Sequence, residues 1–478
     1  MTHLEALAKA EQYQSKMAKI AKKSYWKPQY HISAPANWIN DPNGFCYFNG
    51  EYHVFYQYHP YSSQWGPMHW GHVASKDLVN WKTKPIALAP TDEYDRDGCF
   101  SGSAIEKDNT LYLFYTGHVV LDKENDKDDA QLQTQCVAIS EDGISFKKLE
   151  NNPIINIDSF PEDLNILKEH FRDPKVWKYN DMYYQVVGAQ TTEKTGQALI
   201  YKSKDLLNWE FVNVMAMSTE EENLGFMWEC PNFAEIDNHE VLILSPQGVE
   251  PEGNKFLNVH QSGYFLGKMD YQTGIFHRDS KFDLLDYGFD FYAPQIMQDE
   301  KNNRCLMIAW LDMWESNMPE QENHWAGMMS IPRVLKVENN MIYSKPADEL
   351  SKLHKSKVHH EQIIKEATSF DDVNGDCYQL DIDFDLEKAQ GFILKLRVSN
   401  TEETVISYDK DTKIFKLNRD KSGCGVKGER EVSIEPVREK MNLQIFSDRS
   451  SLEIFINGGK RVLSSRIYPS KEAKGIVF

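Results

Sequence analysis

A repeat of about 63 residues runs through the first 345 residues of this 478-residue chain and limits the folds that it can adopt. Three segments share the pattern Ser-x-Asp followed four residues later by an aromatic residue, and they begin at Ser75, Ser140 and Ser203. A weaker version occupies residues 269–276, near the position expected for a fourth. Such a period is typical of architectures in which neighbouring units cover one another's apolar faces.

Short strand-like runs, joined by a tight turn, recur with the same period. An asparagine stands at the centre of each turn, at Asn49, Asn109, Asn180, Asn238 and Asn302. Asparagine tolerates the positive φ that two-residue turns require, so each run predicts a β-hairpin.

A third series, of polar motifs, stands shortly before each hairpin, at residues 38–44, 100–103, 171–174, 228–231 and 291–294. Four strands fit into each unit, and five such sheets close into a ring, which predicts a five-bladed β-propeller. WD40 blades, at about 40–45 residues, are too short for this period. The alternative is two unrelated β domains with spacings that agree by chance, and three interleaved series with one period count against it.

The first strand of each blade lines the central channel of a propeller, so equivalent positions on the blades meet at one end. We therefore expect five motif residues from distant parts of the sequence to lie together: Asp41, Ser101, Asp173, Glu229 and Tyr292.

The pattern changes after about residue 345. We expect an N-terminal helix in residues 1–24, covering about 3–22, then the propeller in 25–345 and a linker in 346–358. Residues 359–478 contain further strand-like runs and the hairpin signal Asn457-Gly-Gly459, which predict a β-sandwich of two antiparallel sheets. The predicted fold class is therefore all-β.

Charge and cysteine usage exclude several classes of protein. The net charge of −19 argues against nucleic-acid binding, although a locally basic site could still bind an anionic small substrate. Seven cysteines, with no Cys-x-x-Cys, indicate reduced thiols in a cytoplasmic protein. The sequence lacks a signal-peptide core and an apolar run of about 18 residues, so no membrane span is expected, and the oligomeric state stays open.

The three acidic motif residues predict the chemistry. Taken alone, Asp41-Pro-Asn-Gly44 is a good type I turn, Asp173-Pro174 is a turn or cap, and Glu229 is a solvated carboxylate. If the three carboxyl groups meet at one channel mouth, repulsion and burial separate their pKa values, so that one group is ionised and another is protonated. Glycoside hydrolysis requires that division. Aromatic residues in or near these segments could stack on a sugar or pack in the core: Trp38, Trp65, Phe100, Trp228, Tyr292 and Trp310.

Four motifs together resemble the signature blocks of glycoside hydrolase family 32: Trp38-Ile-Asn-Asp-Pro-Asn-Gly44, Phe100-Ser-Gly102, Arg172-Asp-Pro174 and Glu229-Cys-Pro231. Gln57, Trp65-Gly66 and the segment Asp448-Arg-Ser-Ser-Leu-Glu-Ile-Phe455 also match, so the resemblance covers about residues 25–478. The family contains invertases, sucrose-6-phosphate hydrolases, inulinases and levanases. The predicted N-terminal helix and the lack of a signal-peptide core look most like its intracellular bacterial members.

The resemblance implies a role for each matching residue. Asp41 would be the nucleophile, Glu229 the general acid and then the base, and Asp173 with Arg172 would hold fructose hydroxyls and stabilise the transition state. By the same resemblance, five residues would line the fructose subsite: Asn40, Gln57, Trp65, Phe100 and Ser101. Three aromatic residues near the motifs are further candidates for binding the sugar: Trp38, Tyr292 and Trp310. The reaction would retain configuration through a covalent fructosyl-enzyme. No metal or organic cofactor is implied. Cys230 would be a buried thiol beside the acid, and a second possible role for it is tuning the pKa of Glu229.

The substrate stays open among sucrose 6-phosphate, sucrose and short fructo-oligosaccharides. The alternatives are a fructosyltransferase, a non-catalytic carbohydrate-binding propeller and an inverting five-bladed arabinanase, against which the Trp38–Gly44 block counts. Lys255 and His260, which follow the Glu229 hairpin, are candidate contacts for a substrate phosphate, although a surface lysine and a core histidine are the favoured explanation of these two residues. His69 and His72 do not predict a metal site, because an offset of three on a strand puts side chains on opposite faces.

Overall fold

The fold is a ring of five antiparallel sheets followed by two further sheets, in a computed structural model that describes residues 1–122 and 130–478. The first strands of the five sheets contact one another around the ring, β1 with β5, β5 with β9, β9 with β13, β13 with β18, and β18 with β1 again. This is the predicted five-bladed β-propeller followed by a β-sandwich.

Each blade is an up-and-down sheet whose strands follow sequence order from the channel outward. Blades 1 to 3 contain β1 Asn37–Phe48, β2 Glu51–His59, β3 His69–Ser75, β4 Lys82–Thr83; β5 Gly98–Lys107, β6 Thr110–Val120, β7 Gln131–Ser140, β8 Lys147–Lys148; β9 Ile166–Tyr179, β10 Met182–Thr191, β11 Gly196–Ser203 and β12 Glu210–Met217. Blades 4 and 5 contain β13 Met227–Ile236, β14 His239–Gln247, β15 Gly263–Asp270, β16 Ile275–Arg278, β17 Asp283–Leu284; β18 Tyr292–Asp299, β19 Arg304–Trp310, β21 Arg333–Glu338 and β22 Met341–Pro346. Short 3-10 helices cover Ile157–Ser159, Glu162–Leu164, Glu300–Asn302, Pro319–Asn323 and Asp348–Leu353.

A two-residue strand closes the ring. β20, Trp325–Ala326, lies in the long connection between β19 and β21 of blade 5, and it pairs in parallel with Asn37 and Trp38 of β1 in blade 1. The last blade is thereby joined to the first by backbone hydrogen bonds as well as by side-chain packing.

The repeats found in the sequence correspond to turns. Four of the five predicted hairpin asparagines, Asn49, Asn109, Asn180 and Asn238, have positive φ. In blade 5 the prediction is off by one residue, because Asn302 ends a 3-10 turn and Asn303 adopts the positive φ of 48°. Both are asparagines, so residue preference alone does not separate them.

The Ser-x-Asp segments connect the third and fourth strands of their blades. Asp205, for example, accepts backbone hydrogen bonds from Leu207 and Asn208 at 2.9 and 2.8 Å, which satisfies the turn without a sheet partner. Asp77, Asp142 and Asp270 accept equivalent backbone bonds in the other three blades with this motif.

The polar motifs lie inside the innermost strands, at irregularities in strand pairing, and not in turns as the Asp41-Pro-Asn-Gly44 sequence suggests when taken alone. The pairing register shifts between Ile39 and Pro42 in β1, and at the corresponding point of each other innermost strand. Bulges of this kind bend a strand and re-aim its side chains. They turn one residue of every blade toward the same end of the channel.

The N-terminal helix, α1, spans His3–Ala21, within one residue of its predicted end. Thr2 and Glu5 form a capping box at its start. Ala6, Ala10, Met17 and Ala21 form a buried stripe along one side of the helix. None of the helices in the described residues is long and apolar enough to span a membrane.

The C-terminal domain is a sandwich of two sheets. One sheet has the order β23-β28-β29-β30 and the other β27-β26-β25-β24-β31. Their strands are β23 Tyr378–Asp385, β24 Gly391–Val398, β25 Glu403–Asp409, β26 Ile414–Lys421, β27 Glu429–Ser433, β28 Lys440–Asp448, β29 Ser451–Ile456, β30 Arg461–Arg466 and β31 Gly475–Val477. Leu394 and Ile406 of one sheet share a fully buried cluster with Leu443 and Ile454 of the other. The irregular segment before β23 also belongs to this domain by contact, since Thr368 exchanges two backbone hydrogen bonds with Phe478.

The two domains meet across an interface that contains buried ion pairs. Strand β30 runs beside residues 287–289, and Gly288 is needed there because a Cβ atom would lie 2.1 Å from the Ser464 carbonyl oxygen. Around this contact, arginine and histidine side chains pair with carboxylates, and each of them has at least one partner in the other domain. The pairs are Arg333 with Asp286 and Glu453, Arg466 with Asp312 and Glu320, Arg419 with Asp290, and His31 with Asp448 and Glu453.

His31 makes stability depend on pH. Burial alone would lower its pKa, but hydrogen bonds to Asp448 and Glu453 raise the pKa of His31 from 6.5 to about 9. Because the folded protein binds the His31 proton more tightly than the unfolded chain does, the protonated imidazole contributes about 3 kcal/mol to the free energy of unfolding below about pH 6.5. This contribution is lost as the pH rises to about 9. Denaturant unfolding between about pH 6.5 and 9 should show a falling free energy of unfolding in the wild type and a flatter dependence on pH in His31→Gln. The same dependence on pH in both proteins would contradict this role of His31.

Candidate active site

Asp41 is held in one orientation by its neighbours. The Ser101 hydroxyl donates to Asp41 Oδ2 at 2.7 Å, and the Asn40 amide donates to Oδ1 at 3.0 Å. The indole nitrogen of Trp38 donates in turn to Asn40 Oδ1 at 2.8 Å, so the amide orientation is fixed. The carboxylate is buried, with 9% of the residue exposed, and is restrained against rotation.

Glu229 faces a contrasting set of partners. Arg172 donates from both Nε and Nη2 to Glu229 Oε1, at 3.0 and 2.7 Å. The Tyr292 hydroxyl donates a short hydrogen bond to Oε2. Gln133 accepts from Arg172 Nη1 at 3.3 Å and holds the guanidinium from its other side.

Asp173 lies between these two groups. Its backbone has a φ of 68°, and its amide donates to Thr116 Oγ1 at 3.0 Å. Its Oδ2 atom accepts from the Cys230 amide at 2.9 Å. The Cys230 thiol lies 3.6 Å from Oδ2 of both Asp173 and Asp41, so it bridges two of the carboxylates.

Aromatic side chains surround this carboxylate cluster. Trp65 is 48% exposed and forms a T-shaped contact with Phe100, which stacks on His118 with ring centroids 4.1 Å apart. Trp314 stacks on Trp38 with ring centroids 6.0 Å apart. Trp310 is fully buried against both of these indoles, and its nitrogen has no hydrogen-bond partner in the described part of the chain. Gln57 is also buried and donates to the Cys99 carbonyl at 3.0 Å.

Family models account for almost the whole chain. The N-terminal domain of glycosyl hydrolases family 32 matches residues 31–346, and the C-terminal domain of the same family matches residues 349–478. This protein belongs to glycoside hydrolase family 32.

Individual family 32 proteins resemble it over nearly their full length. A sucrose-6-phosphate hydrolase of Zymomonas mobilis is 42% identical over 492 residues, which cover 99% of this chain and 93% of the relative. A raffinose invertase of Escherichia coli is 38% identical and covers 94% and 91% of the two chains. A mutant β-fructofuranosidase of Bombyx mori, solved with sucrose, has a TM-score of 0.87 at 36% identity and covers 99% of this chain and 95% of its own.

The family 32 carboxylates differ in their proton affinity. Burial, followed by the charge of Glu229, raises the pKa of Asp41. Burial, with the charges of Glu229 and Asp41, raises the pKa of Asp173 to about 7 against the opposing effect of Arg172. Burial would also raise the pKa of Glu229, but Arg172 above all, then His260 and Tyr292, lower it.

The pKa values are therefore separated, as the sequence led us to expect, but not in the expected order. A protonated Glu229 was expected, whereas Asp173 is the carboxyl with the pKa of about 7 and Glu229 has a lowered pKa. The reason is the two-atom contact of Arg172 with Glu229, which favours the ionised form. The adjacency of the Arg172 and Glu229 motifs in space could not be read from their separation in sequence.

The structure brings together all five motif residues predicted to meet, and it adds others. Cys230 contacts two of the carboxylates, whereas three residues with no predicted role contact their neighbours: Trp314 contacts Trp38, His118 contacts Phe100, and Gln133 contacts Arg172. His118 and Gln133 lie on the second and third strands of blade 2, and Trp314 lies in the connection after β19, all outside the repeated motifs. Trp314 carried one weak signal, since it follows Trp310 in a short tryptophan-rich segment.

The two candidate phosphate contacts have different surroundings. Lys255 Nζ pairs with Asp283 Oδ1 at 2.9 Å and is thereby neutralised. The His260 ring lies 5.8 Å from the Tyr292 ring, beside Glu229, and its buried Nδ1 has no partner among residues 1–122 and 130–478. Within those same residues, no three His, Cys, Asp or Glu side chains are grouped as metal ligands.

Proposed function

We propose that this protein is a retaining β-fructofuranosidase that releases fructose from sucrose 6-phosphate and sucrose through a covalent fructosyl-enzyme. One observation carries the proposal: carboxylates from three separate blades meet at one place. Cys230, which follows Glu229 in the chain, contacts both Asp41 and Asp173, and Arg172, which precedes Asp173, pairs with Glu229. The substrates named for the relatives support the choice of sugar.

In the first step an Asp41 carboxylate oxygen attacks the anomeric carbon of the fructosyl ring. The bond from that carbon to the bridging oxygen breaks, and Glu229 transfers its proton to the departing oxygen. In the second step Glu229 removes a proton from water, the water oxygen attacks the same carbon, and the bond to Asp41 breaks. Two inversions give net retention.

Substrate binding prepares Glu229 for the first step. Arg172 and Asp173 stand where they can bind fructose hydroxyls, and each hydroxyl bound by Arg172 weakens its contact with Glu229. Weakening that contact raises the pKa of Glu229, so that Glu229 can carry the proton that the leaving oxygen needs. Tyr292 then stays as the hydrogen-bond donor that orients the acid.

Aromatic rings beside the carboxylates suit the apolar faces of a sugar. Trp65 and Phe100 form one pair of rings, and Trp38 and Trp314 form a second, which makes one wall of the site. Trp310 packs behind that pair, while Asn40, Gln57 and Ser101 fix the polar floor. Seven free thiols agree with a cytoplasmic enzyme, which would meet sucrose in phosphorylated form.

The test of substrate class compares kcat/KM for sucrose 6-phosphate, sucrose and kestose at fixed pH and salt. A phosphate held by one charge-assisted hydrogen bond, worth about 1.5–3 kcal/mol, gives a preference of roughly 10- to 150-fold for the phosphorylated sugar. If kcat/KM for sucrose 6-phosphate and for sucrose agree within about threefold, the enzyme has no phosphate subsite. A faster rate on kestose would favour a fructo-oligosaccharide hydrolase.

Transfer products formed at high sucrose concentration would identify a fructosyltransferase. No turnover of any fructoside would indicate a carbohydrate-binding protein without catalysis.

His260 is the remaining candidate phosphate contact, because Lys255 is already paired. We expect His260→Ala to lower the ratio of the two kcat/KM values about tenfold, the effect of one lost hydrogen bond to a charged group. The ratio cancels any change in Glu229 that affects both substrates. His239→Ala, at the far end of the β13–β14 hairpin, should leave the ratio unchanged. An unchanged ratio in His260→Ala would exclude this contact.

A further inference from the structure

One wall of the site is carried by a long connection in blade 5. Strands β19 and β21 pair directly, yet residues 311–332 separate them in sequence. This connection, residues 311–332, carries Trp314, which stacks on Trp38, and β20, which closes the propeller. Most of its length lacks regular secondary structure, so its position depends on contacts with its surroundings.

Those contacts come in part from the other domain. Arg466, at the end of sandwich strand β30, reaches Asp312 Oδ2 with Nη1 at 2.7 Å and Glu320 Oε1 with Nη2 at 2.9 Å. Arg466, Asp312 and Glu320 are each no more than 1% exposed. Asp312 comes two residues before Trp314, and Glu320 begins the segment that leads into β20.

Arg466 also touches the second piece of blade 5 that reaches the site. Its backbone amide donates to Asp290 Oδ2 at 2.7 Å. Asp290 precedes Tyr292 by two residues, and Tyr292 donates to Glu229. The same sandwich residue therefore fixes the chain on both sides of the paired residues Tyr292 and Trp310.

We propose that Arg466 is a positioning residue for the active site, through which the β-sandwich holds the Trp314 wall in its working geometry. The proposal rests on the fructoside hydrolysis proposed above. A planar guanidinium with two parallel donors fixes two carboxylates at a set separation, and an ammonium group cannot reproduce that. A shift of about 1 Å in a substrate-contacting wall is enough to cost roughly 100-fold in rate.

The experiment is a double-mutant cycle with Arg466→Lys and Trp314→Phe, measured as kcat and KM for sucrose hydrolysis. Arg466→Lys keeps the backbone bond to Asp290 and removes the guanidinium contacts, which are those with Asp312 and Glu320 and one with the Ser450 carbonyl. We expect it to lower kcat/KM about 10- to 100-fold. If it acts through the wall, adding Trp314→Phe to it should have little further effect, since effects of coupled residues do not add.

Arg397→Lys is the matched control. Arg397 is also fully buried in the sandwich, but it donates to the Ala473 and Asp448 carbonyls and to Tyr25, away from the carboxylate cluster. Its replacement should lower the unfolding temperature, leave kcat/KM within about threefold, and combine additively with Trp314→Phe. Catalysis by Arg466→Lys within threefold of wild type, or additivity in the Arg466 cycle, would overturn the proposal.

A second variant and a second signal keep the test decisive. If Arg466→Lys does not fold, Asp312→Asn removes the same contact from the propeller side and should show the same coupling to Trp314→Phe. Near-ultraviolet circular dichroism responds to the packing of Trp314 on Trp38 and Trp310 without any substrate, and the spectral difference caused by Trp314→Phe should be smaller in the Arg466→Lys background than in the wild type. If wild-type protein hydrolyses no fructoside, the proposed function fails, while this spectrum still decides whether Arg466 positions the wall.

Discussion

Replacement of Asp41 by alanine is expected to lower kcat by about 10⁴- to 10⁶-fold, the loss typical of a removed catalytic nucleophile or its partner. The Asp41 carboxylate oxygens are held in one orientation by Ser101 and Asn40, as a nucleophile requires. Rates on sucrose 6-phosphate and sucrose, measured with enough enzyme to detect the residual turnover, give the result.

Stability should move in the opposite direction. Burial and Glu229 raise the pKa of Asp41, so the ionised carboxylate costs the folded state free energy at neutral pH. Asp41→Ala should therefore unfold at the same temperature as the wild type or a higher one. Asp299→Ala is the control: Asp299 is a buried carboxylate of blade 5 that pairs with Arg304, and its loss should lower stability with kcat within about threefold. Activity of Asp41→Ala within tenfold of wild type would rule it out as the nucleophile.

Replacement of Glu229 by alanine should produce a loss that depends on the leaving group. General acid catalysis contributes about 10²- to 10⁴-fold, and sucrose, whose leaving group is a poor one, should lose all of it. An aryl β-fructofuranoside needs little protonation of its leaving oxygen, so its first step should be nearly as fast as in the wild type. The measurement compares pre-steady-state release of the aryl alcohol with sucrose turnover in the same preparation.

Tyr292→Phe separates the acid role from a general disturbance of the site. Tyr292 donates to Glu229 Oε2, so loss of its hydroxyl should reduce sucrose turnover. The order of the rates on sucrose and on the aryl fructoside should stay as in the wild type. Equal losses on sucrose and on the aryl fructoside in Glu229→Ala would count against the acid role.

Local sequence signals predicted the blades well. Asparagine turns and Ser-x-Asp segments depend on short-range hydrogen bonds, so Asn49, Asn109 and Asp205 take the conformations expected of them. The period then required the five motif residues to meet. The choice between Asn302 and Asn303 depended on one 3-10 turn, which residue preference does not resolve.

The parts that the sequence did not predict arise from contacts between distant segments. Arg172 lowers the pKa of Glu229 because the fold places a guanidinium of blade 3 against a carboxylate of blade 4. Trp314 stands outside every repeat, and its stacking on Trp38 depends on a connection held by the sandwich. Lys255 was a reasonable phosphate contact until its partner Asp283 was known. Pairings of this kind leave no periodic trace in one sequence.

The most direct test of the central claim is mass spectrometry of Glu229→Ala incubated with an aryl β-fructofuranoside and then digested. The good leaving group lets Asp41 be fructosylated, and the missing base slows hydrolysis of the ester, so the intermediate should accumulate. We predict a mass increase of one fructosyl group on the peptide that contains Asp41, with modification localised to that residue. No covalent adduct, together with a product of inverted configuration, would show direct attack by water and would contradict the mechanism.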